Sequence, residues 1–352
     1  MKRSRLIAIA SVVPAIAVLP AGSAAAAPTA AAGGNATWRV NFQFRGTVDN
    51  VVASSKTAAW AYGVTGNRWR IVRWNGHDWQ TMRTLRRGLA IDSIAASGPS
   101  DVWVFANTRT SQEALRWDGQ AWHAMPVPDG GIGQIVVLGP DNVWGISESF
   151  FSSAAGWQTV LAHWNGARWT STTLKNRAEN LAGSAGTGLW LVGMKTSSLN
   201  VSDPRGTLLA YRWDGHAWRL AAMPHPKIVR DPEIARGADG SVWIYARPGH
   251  GRSFVLRRRR NGSWQRITAP ERGKGSLGAI AAVRNRFWLN GDFIWDGRRW
   301  LRDSPQIVTG GVAAIPGTES AWLVRSPFTV VIGGQGGIKP GHTAIYLNGT
   351  RP

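Results

Sequence analysis

The chain has 352 residues, with 41 Lys and Arg against 20 Asp and Glu, and it contains no Cys. The lack of Cys excludes a thiol nucleophile, a Cys-ligated metal and a disulfide framework, and a chain of this length can bury a sizeable core without disulfides. The net charge of +21 favours anionic partners. The 21 Trp residues indicate a repeated structural motif.

The N-terminal residues have the pattern of a secretory signal peptide. A basic start at 2–5 precedes an apolar run at 6–19, and a tract of small residues follows at 21–27. The apolar run is shorter than the roughly 20 residues that a membrane-spanning helix needs. We expect an exported bacterial protein with no membrane span after cleavage. The predicted layout is a signal peptide at 1–27, a flexible segment at 28–36 and one domain at 37–352.

The clearest repeated unit downstream is Trp-Asp/Asn-Gly-x-x-Trp. Its copies begin at Trp74, Trp117, Trp164, Trp213 and Trp295. Asn-Gly and Asp-Gly favour two-residue hairpin turns in which both central residues have positive φ. Such a turn at Asp118 and Gly119 would make Trp117 and Trp122 diagonal neighbours on one face of the hairpin. We interpret the unit as the outer hairpin of a blade, with its aromatic face packed on the next sheet.

A second unit places one Trp between apolar residues just after a turn, as in Val102-Trp103-Val104. A short apolar strand precedes each copy, so that each repeat has four strands, A to D, and a period of about 45 residues, the length of one propeller blade. The B-strand residues are Trp60, Trp103, Trp144, Trp190, Trp243, Trp288 and Trp322. The D-strand residues are Trp38, Trp79, Trp122, Trp169, Trp218, Trp264 and Trp300.

The two ends of the repeat array are complementary. Trp38 is a D-strand Trp with no repeat before it, whereas the last C strand, around Tyr346, has no D strand after it. We therefore expect the N-terminal strand, roughly 37–44, to complete the last blade and close the ring, which removes exposed strand edges. The predicted fold is an all-β propeller of seven four-stranded blades. The short spacing from Trp288 to Trp300 leaves six or eight blades open.

The Asp-Val-Trp and Trp-Asp/Asn-Gly-x-x-Trp repeats resemble those of bacterial secreted Trp-repeat propellers, which are loosely grouped with kelch-like and galactose-oxidase-like propellers. The resemblance spans nearly the whole predicted domain. It implies the propeller fold, and it implies little about activity, because most such proteins have none assigned. The Gly-Gly doublet of kelch repeats is not regular here, and the Cys–Tyr cofactor of galactose oxidase is impossible without Cys.

In a four-stranded blade the B–C and D–A connections share one face of the disc, here called the B–C/D–A face, and the A–B and C–D turns share the opposite, A–B/C–D face. The longest B–C loops are expected at 147–158, 194–207 and 326–342. Variable loops on a rigid scaffold commonly carry binding sites, and many of the cations fall in or beside these loops. The candidate ligand-binding residues are Trp157, Lys195, Arg205, Arg230, Arg247, Arg252 and Arg325.

Other features indicate less. Two interpretations of Trp157 stay open: stacking on a sugar ring or a base, and packing within its own loop. The run Arg257–Arg260 lies in a predicted strand, which favours solvated strand residues over a nucleic-acid site. The seven His residues show no metal-binding spacing, and neither a phosphate-binding loop nor a nucleophile elbow is present. We predict no metal and no cofactor, and we assign no catalytic residue.

The sequence thus predicts an exported, monomeric binding scaffold. Its partner would be an acidic extracellular polymer, such as an anionic polysaccharide or teichoic acid, or a protein, held by basic loops of the B–C/D–A face. Specific recognition of nucleic acid is disfavoured. The main alternative is a carbohydrate-active enzyme, a polysaccharide lyase or a glycosidase, with carboxylates converging at the central channel. A third hypothesis is an interaction domain with a flat face and no pocket.

Overall fold

The structure is a computed structural model. It describes residues 38–199, 205–224, 226–227, 229–237, 239–270, 279–289, 292–302, 309–325 and 342–348. The predicted signal peptide at 1–27, the segment at 28–36 and the loop at 326–341 lie outside the described residues. Within the described ranges the chain forms strands and turns, and no helix there could cross a membrane.

The strands follow one another with short connections. In chain order they are β1 (Trp38–Arg45), β2 (Thr47–Ser55), β3 (Ala58–Thr65), β4 (Arg68–Trp74), β5 (Trp79–Thr84), β6 (Ala90–Gly98), β7 (Asp101–Asn107), β8 (Gln112–Trp117), β9 (Trp122–Met125), β10 (Gln134–Gly139), β11 (Asn142–Ser152), β12 (Gly156–Trp164), β13 (Trp169–Lys175) and β14 (Arg177–Ser184). They continue as β15 (Gly188–Lys195), β16 (Thr207–Trp213), β17 (Trp218–Leu220), β18 (Val229–Arg236), β19 (Val242–Pro248), β20 (Phe254–Arg258), β21 (Trp264–Thr268), β22 (Ile280–Val283), β23 (Arg286–Leu289), β24 (Phe293–Trp295), β25 (Trp300–Arg302), β26 (Thr309–Ala314), β27 (Ala321–Arg325) and β28 (His342–Asn348).

The strands form seven antiparallel sheets of four, each a blade with strands A to D in order. Blade 1 is β2–β5, and blades 2 to 6 follow in sets of four up to β25. Blade 7 combines β26, β27 and β28 with β1. The seven-bladed prediction is therefore confirmed, and the compressed sixth repeat is a complete blade with short strands.

The A strands form the inner ring, and each contacts the A strand of the next blade, from β2 through β6, β10, β14, β18, β22 and β26 back to β2. In blade 7, β1 pairs with β28, from Trp38 opposite Asn348 to Arg45 opposite His342. The N-terminal strand thus supplies the missing D strand, as the sequence predicted. Because β1 pairs with the outer edge of β28, blade 7 has its fourth strand and the ring is closed.

The turn within Trp-Asp/Asn-Gly-x-x-Trp differs from the prediction. Trp117 pairs directly with Trp122, because the turn has four residues and closes with a hydrogen bond from Asp118 N–H to Ala121 O. The Asp118 carboxylate accepts the N–H groups of Gln120 and Ala121 at 2.8 Å each, and only the Gly has positive φ, at 104°. The two-residue turn was wrong, and the two indoles lie opposite each other rather than diagonally.

Clusters of Trp fill most of the interfaces between blades. The B-strand Trp60 of blade 1 is fully buried, and its ring centroid lies 6.1 Å from that of Trp117 and 5.9 Å from that of Trp122, both in blade 2. The same arrangement joins blade 2 to 3, blade 3 to 4 and blade 7 to 1. Each cluster combines a large apolar burial with edge-to-face ring contacts. The repeated Trp residues therefore hold neighbouring blades together.

Four of the D-strand Trp residues, Trp79, Trp169, Trp264 and Trp300, also donate a hydrogen bond to a neighbouring blade. Trp169 Nε1–H donates to Pro126 O of the preceding blade at 2.8 Å, and Trp300 Nε1–H donates to Thr268 O at 2.8 Å. One side chain thus supplies both apolar contact and a directional link to the blade before it.

The arginine run in blade 5 is part of this packing. Arg257 lies over Trp243 with its Cζ atom 4.6 Å from the ring centroid, and Arg258 lies over Trp190 at 5.5 Å. Neighbouring strand residues point to opposite faces, so each packs on a different blade interface. The prediction of solvated strand residues is wrong for these two, which are half-buried on indoles, and the last two residues of the run are exposed.

Candidate functional site

Several of the candidate cations lie side by side on the B–C/D–A face of blades 4 and 5. Lys195 ends β15, and the hydroxyl of the next residue, Thr196, donates to Arg205 O at 2.6 Å. Gly206 and Val229 then form an antiparallel bridge with two N···O distances of 3.0 and 2.9 Å. The bridge joins the B–C loop of blade 4 to the start of blade 5.

Arg230 follows the bridge residue Val229 in the chain and lies opposite Arg247 in the β18–β19 ladder. Like charges directly opposite each other on neighbouring strands are destabilising. Asp231, which takes a left-handed φ of 44°, forms an ion pair with Arg247. We call Lys195, Arg205, Arg230 and Arg247 the cationic ridge. The Asp231 carboxylate adjoins this ridge and pairs with one of its four cations.

The remaining predicted cations lie at different distances from the ridge. Arg252 is exposed in the B–C loop of blade 5, on the same blade as Arg247. Arg325 ends β27 in blade 7, two blades further round the ring. The structure therefore brings four of the seven predicted ligand-binding residues into one row, places Arg252 on the same face nearby, and separates Arg325.

Trp157 lies inside its hairpin rather than on its surface. It is 6% exposed, and its Nε1–H donates to Ser198 O at 2.8 Å. Phe151 meets its ring edge-on at 5.9 Å between centroids, and Arg177 lies over the ring at 4.9 Å. These contacts match the packing alternative for Trp157, and the binding surface proposed below does not include it.

A second feature of the same face is a set of carboxylates around the channel opening. The A strands of blades 1, 2 and 4 contain a β-bulge near their first residues, and the unpaired residue is Asp49, Asp92 and Glu179, respectively. A bulge re-aims the side chain of the extra residue. With Glu148 of blade 3, which lines the same opening, these residues form what we call the acidic mouth.

Sequence reasoning missed this set, although a signal for it exists. Asp49, Asp92 and Glu179 each precede the B-strand Trp of their blade by 11 residues, and each stands between an apolar residue and a polar one. Counting back from Trp60, Trp103 and Trp190 would have aligned them. In a regular strand, side chains alternate between the two faces of the sheet. A bulge shifts this alternation by one residue, so a search based on regular alternation does not recognise these three carboxylates as an aligned set.

The carboxylates of the mouth differ in their neighbours. Burial raises the pKa of Asp49 from 3.8 to about 6, and burial also raises the pKa of Asp92. Burial raises the pKa of Glu179 too, but Arg177 opposes it through an ion pair with an Nε···Oε1 distance of 2.6 Å. The pKa of the buried Tyr62 is raised first by burial and then by the charges of Asp49 and Asp92. Both aspartates therefore act on the same phenol.

The acidic mouth opens into a cavity of about 570 Å³. Asp92, Glu148 and Glu179 line it together with Asn50 and Gln134. The polar side chains are partly engaged with each other, and Gln134 Nε2–H donates to Asn180 Oδ1 at 2.9 Å. The Ser93 hydroxyl in the same wall is buried and has no hydrogen-bond partner among the described residues. The cavity can thus accept a polar or cationic ligand of several non-hydrogen atoms.

The opposite end of the channel has a different lining. A cavity of about 410 Å³ opens there between the A strands, lined mostly by small residues such as Ala53, Ala96 and Gly183. The lining includes one cation, Arg236, and no carboxylate among the described residues. The two cavities therefore differ in their acidic lining, because carboxylates line the one at the B–C/D–A end and none of the described residues that line the other is acidic. The structure shows no group of three or more His, Asp or Glu able to hold a metal within those residues.

Comparisons with known proteins give the fold. The sequence matches no family model and no curated protein. The structure is similar to YCF48 from Cyanidioschyzon merolae, with a TM-score of 0.53, 13% identity and coverage of 88% of this chain and 98% of that chain. It is similar to a chain of the mitotic checkpoint complex, with a TM-score of 0.55, 10% identity and coverage of 95% and 98%.

A third similar structure is the GH74 xyloglucanase from Xanthomonas campestris, with a TM-score of 0.50 and 16% identity. The alignment covers 82% of this chain and 53% of the xyloglucanase chain. At such identities the likeness concerns the fold alone. The grouping with bacterial secreted and kelch-like propellers stays a prediction, and the conclusion that these comparisons support is that the chain is a seven-bladed β-propeller.

Proposed function

We propose that this protein is an exported binding scaffold that holds an acidic extracellular polymer on its cationic ridge. The observation that carries the proposal is the Gly206–Val229 bridge, which joins cations from three separate segments into one row. A row of guanidinium and ammonium groups matches a linear polyanion, because successive anionic groups can each meet a cation. Arg230 opposite Arg247 supports this, since it places two guanidinium groups on neighbouring strands of one ladder.

The proposal is tested by binding to a teichoic acid, an acidic polysaccharide, a neutral polysaccharide of equal length and DNA, at two salt concentrations. A variant with Lys195, Arg205 and Arg230 changed to Gln removes three ridge cations and leaves the Arg247–Asp231 pair in place. The matched control changes Arg68, Arg87 and Arg109 to Gln, because these exposed cations lie on the same face in blades 1 and 2.

We expect the ridge variant to lose affinity for one acidic polymer by about tenfold or more, while the control keeps most of it. Equal losses in both variants would mean that net charge alone attracts the polymer. Binding to every polyanion, DNA included, that vanishes at the higher salt concentration would likewise contradict a specific ridge.

A second candidate function is carbohydrate hydrolysis or elimination at the acidic mouth. The observation that favours it is that Asp92 and Glu179, two carboxyls whose pKa is raised by burial, line one cavity, while the pKa of Asp49 in the neighbouring bulge is raised to about 6, a value suited to a general acid. The test is release of reducing ends or unsaturated sugars from the same polysaccharides, with Asp49→Asn and Glu148→Gln as variants. Turnover that both variants retain would exclude the mouth as its source.

A further inference from the structure

The interface between blades 4 and 5 lacks a residue that most other interfaces have. In blades 1, 2, 3, 4 and 6 the residue paired with the D-strand Trp is a C-strand Trp, as Trp117 is to Trp122. In blade 5 that position holds Arg258, opposite Trp264. Trp190 of blade 4 therefore meets one indole, at 6.3 Å between centroids, and one guanidinium.

Two more arginines approach the same indole. Arg236 ends β18, donates through Nη2 to Thr187 O of blade 4, and lies over the Trp190 ring with its Cζ atom 5.9 Å from the centroid. Arg212 is the direct cross-strand neighbour of Trp190 in blade 4. Three guanidinium groups from three strands thus surround one side chain at the A–B/C–D face.

The charge of this cluster is poorly neutralised. Arg212, Arg236 and Arg258 form no ion pair within the described chain, and the Nε of Arg236 is buried with no hydrogen-bond partner there. The carboxylate that acts on Arg236 is Asp239, which already accepts Ser241 Oγ–H at 2.7 Å. Burial, then the charges of Arg212 and Arg258, lowers the pKa of Arg236 to about 10.

The charge at the corresponding position in blade 2 is neutralised by a carboxylate, whereas in blade 1 Arg73 forms no ion pair within the described chain but lies over an indole that meets two further indoles, not two further arginines. Arg116 lies opposite the B-strand Trp103 just as Arg212 lies opposite Trp190, and its Nε forms an ion pair with Asp101 at 3.2 Å. No described carboxylate takes that role for Arg212. An anion from solution would supply the missing charge, and it can approach because Arg212 is exposed and Arg236 lines the end of the channel.

We propose that Arg212, Arg236 and Arg258 form a binding site for an oxyanion, a phosphate or sulfate group, between blades 4 and 5 on the A–B/C–D face. Guanidinium groups bind such groups through paired N–H donors, and three of them can surround the tetrahedral oxygens. The site lies at the opposite ends of the strands from the cationic ridge and does not depend on it. Cation–π contact with Trp190 holds Arg236 and Arg258 in position before the anion arrives.

The test is thermal unfolding of the purified protein with increasing inorganic phosphate, against chloride at equal ionic strength. A ligand of the folded state raises Tm in a saturable manner. We expect saturable stabilisation in the wild type, at least tenfold weaker apparent affinity in Arg212→Gln, and none in Arg258→Trp, which restores the Trp pair of the other blades. Arg212 is exposed, so its variant keeps the test valid if Arg258→Trp fails to fold.

Two controls make the result specific. Arg73→Gln removes a cation that lies over Trp60 at 5.3 Å in an interface with a complete Trp pair, and it should leave the phosphate effect unchanged. The ridge variant of Lys195, Arg205 and Arg230 should also keep it. An oligomer of glycerol phosphate, tested at equal phosphate, shows whether the site prefers a polymer-borne phosphodiester or the free ion. Equal Tm curves in phosphate and chloride, or equal losses in Arg73→Gln and Arg212→Gln, would overturn the proposal.

Discussion

The interface between blades 1 and 2 and the interface between blades 4 and 5 have the same strand arrangement but different side chains. Between blades 1 and 2, Trp60 meets two indoles, Trp117 and Trp122, and one guanidinium group, that of Arg73. Between blades 4 and 5, Trp190 meets one indole and two guanidinium groups. The C-strand position opposite the D-strand Trp holds an indole in blade 2, that of Trp117, and a guanidinium group in blade 5, that of Arg258. Both groups are flat and partly apolar, and both can pack on the B-strand Trp of the preceding blade.

The channel mouth shows the same division. The bulge acids of blades 4 and 5, Glu179 and Asp231, are each paired with an arginine. The bulge acids of blades 1 and 2, Asp49 and Asp92, form no ion pair within the described residues. The bulge acids thus lack an ion pair in blades 1 and 2 and have one in blades 4 and 5. The same bulged backbone accommodates both arrangements, so the difference lies in the side chains alone.

All seven blades belong to one closed ring, and we expect the largest loss of stability from opening it. Deleting residues 36–44 removes most of β1 and leaves the edge of β28 unpaired in blade 7. We expect Tm to fall by roughly 10 °C or more and the unfolding transition to broaden, because Trp38 and the β1–β28 hydrogen bonds are lost together. Calorimetry measures both quantities. A deletion variant with wild-type Tm would show that blade 7 does not need its fourth strand.

Replacing the B-strand Trp in each region separates the two kinds of interface. Trp60→Ala leaves a cavity in a cluster that contains two further indoles and one overlying guanidinium group, and we expect it to cost about 3–5 kcal/mol with a smaller salt dependence than Trp190→Ala. Trp190→Ala also removes the ring over which Arg236 and Arg258 lie, so part of its cost is repulsion between cations that lose this cation–π contact. We expect that part to shrink in about 1 M NaCl, which screens charges beyond roughly 3 Å. Denaturant unfolding at two salt concentrations measures it, and equal salt responses would contradict the comparison.

The skeleton of the fold was predictable from the sequence, because it depends on one residue type at fixed spacing. The B-strand and D-strand Trp positions gave the blade number, and Trp38 gave the closure. The turn register was wrong because the Asp118 carboxylate binds two backbone N–H groups and makes a four-residue turn more favourable than the two-residue one. Side-chain capping of this kind is invisible to a rule based on the Asn-Gly or Asp-Gly pair alone.

The site was predictable only in part. The basic residues of the B–C/D–A face were recognised, but their union into a ridge depends on the Gly206–Val229 bridge, which has no marker in the sequence. The acidic mouth depends on bulges that shift Asp49, Asp92 and Glu179 out of simple alternation. Arg258 could not be assigned to an interface until its partner Trp190 was known, because they are 68 residues apart in sequence.

The paired acid of blade 4 should respond to loss of its partner. Arg177→Met leaves the Glu179 carboxylate without its ion pair, in a place where the two side chains are only 15% and 20% exposed. We expect a loss of about 1–3 kcal/mol at neutral pH, because an unpaired carboxylate remains partly buried. Adding Glu179→Gln to Arg177→Met should recover part of the loss. A double-mutant cycle measures the coupling, and a coupling near zero would mean that the pair is already screened by solvent.

The unpaired acid of blade 1 should behave in the opposite way, with the smallest effect of the series. The pKa of Asp49 in the folded protein is raised to about 6 from 3.8, so between these values the folded state binds more protons than the unfolded state. Its contribution therefore stabilises the protein fully below pH about 4 and is lost as the pH rises through about 6. Asp49→Asn should raise Tm at pH 7 and flatten the dependence between pH 4 and 6, whereas Glu179→Gln, which loses a partner, should not raise Tm at pH 7. Thermal unfolding of the wild type and both variants from pH 4 to 8 provides the measurement. If Asp49→Asn lowers Tm at pH 7, the carboxylate has a stabilising partner, and the mouth is not divided into paired and unpaired halves.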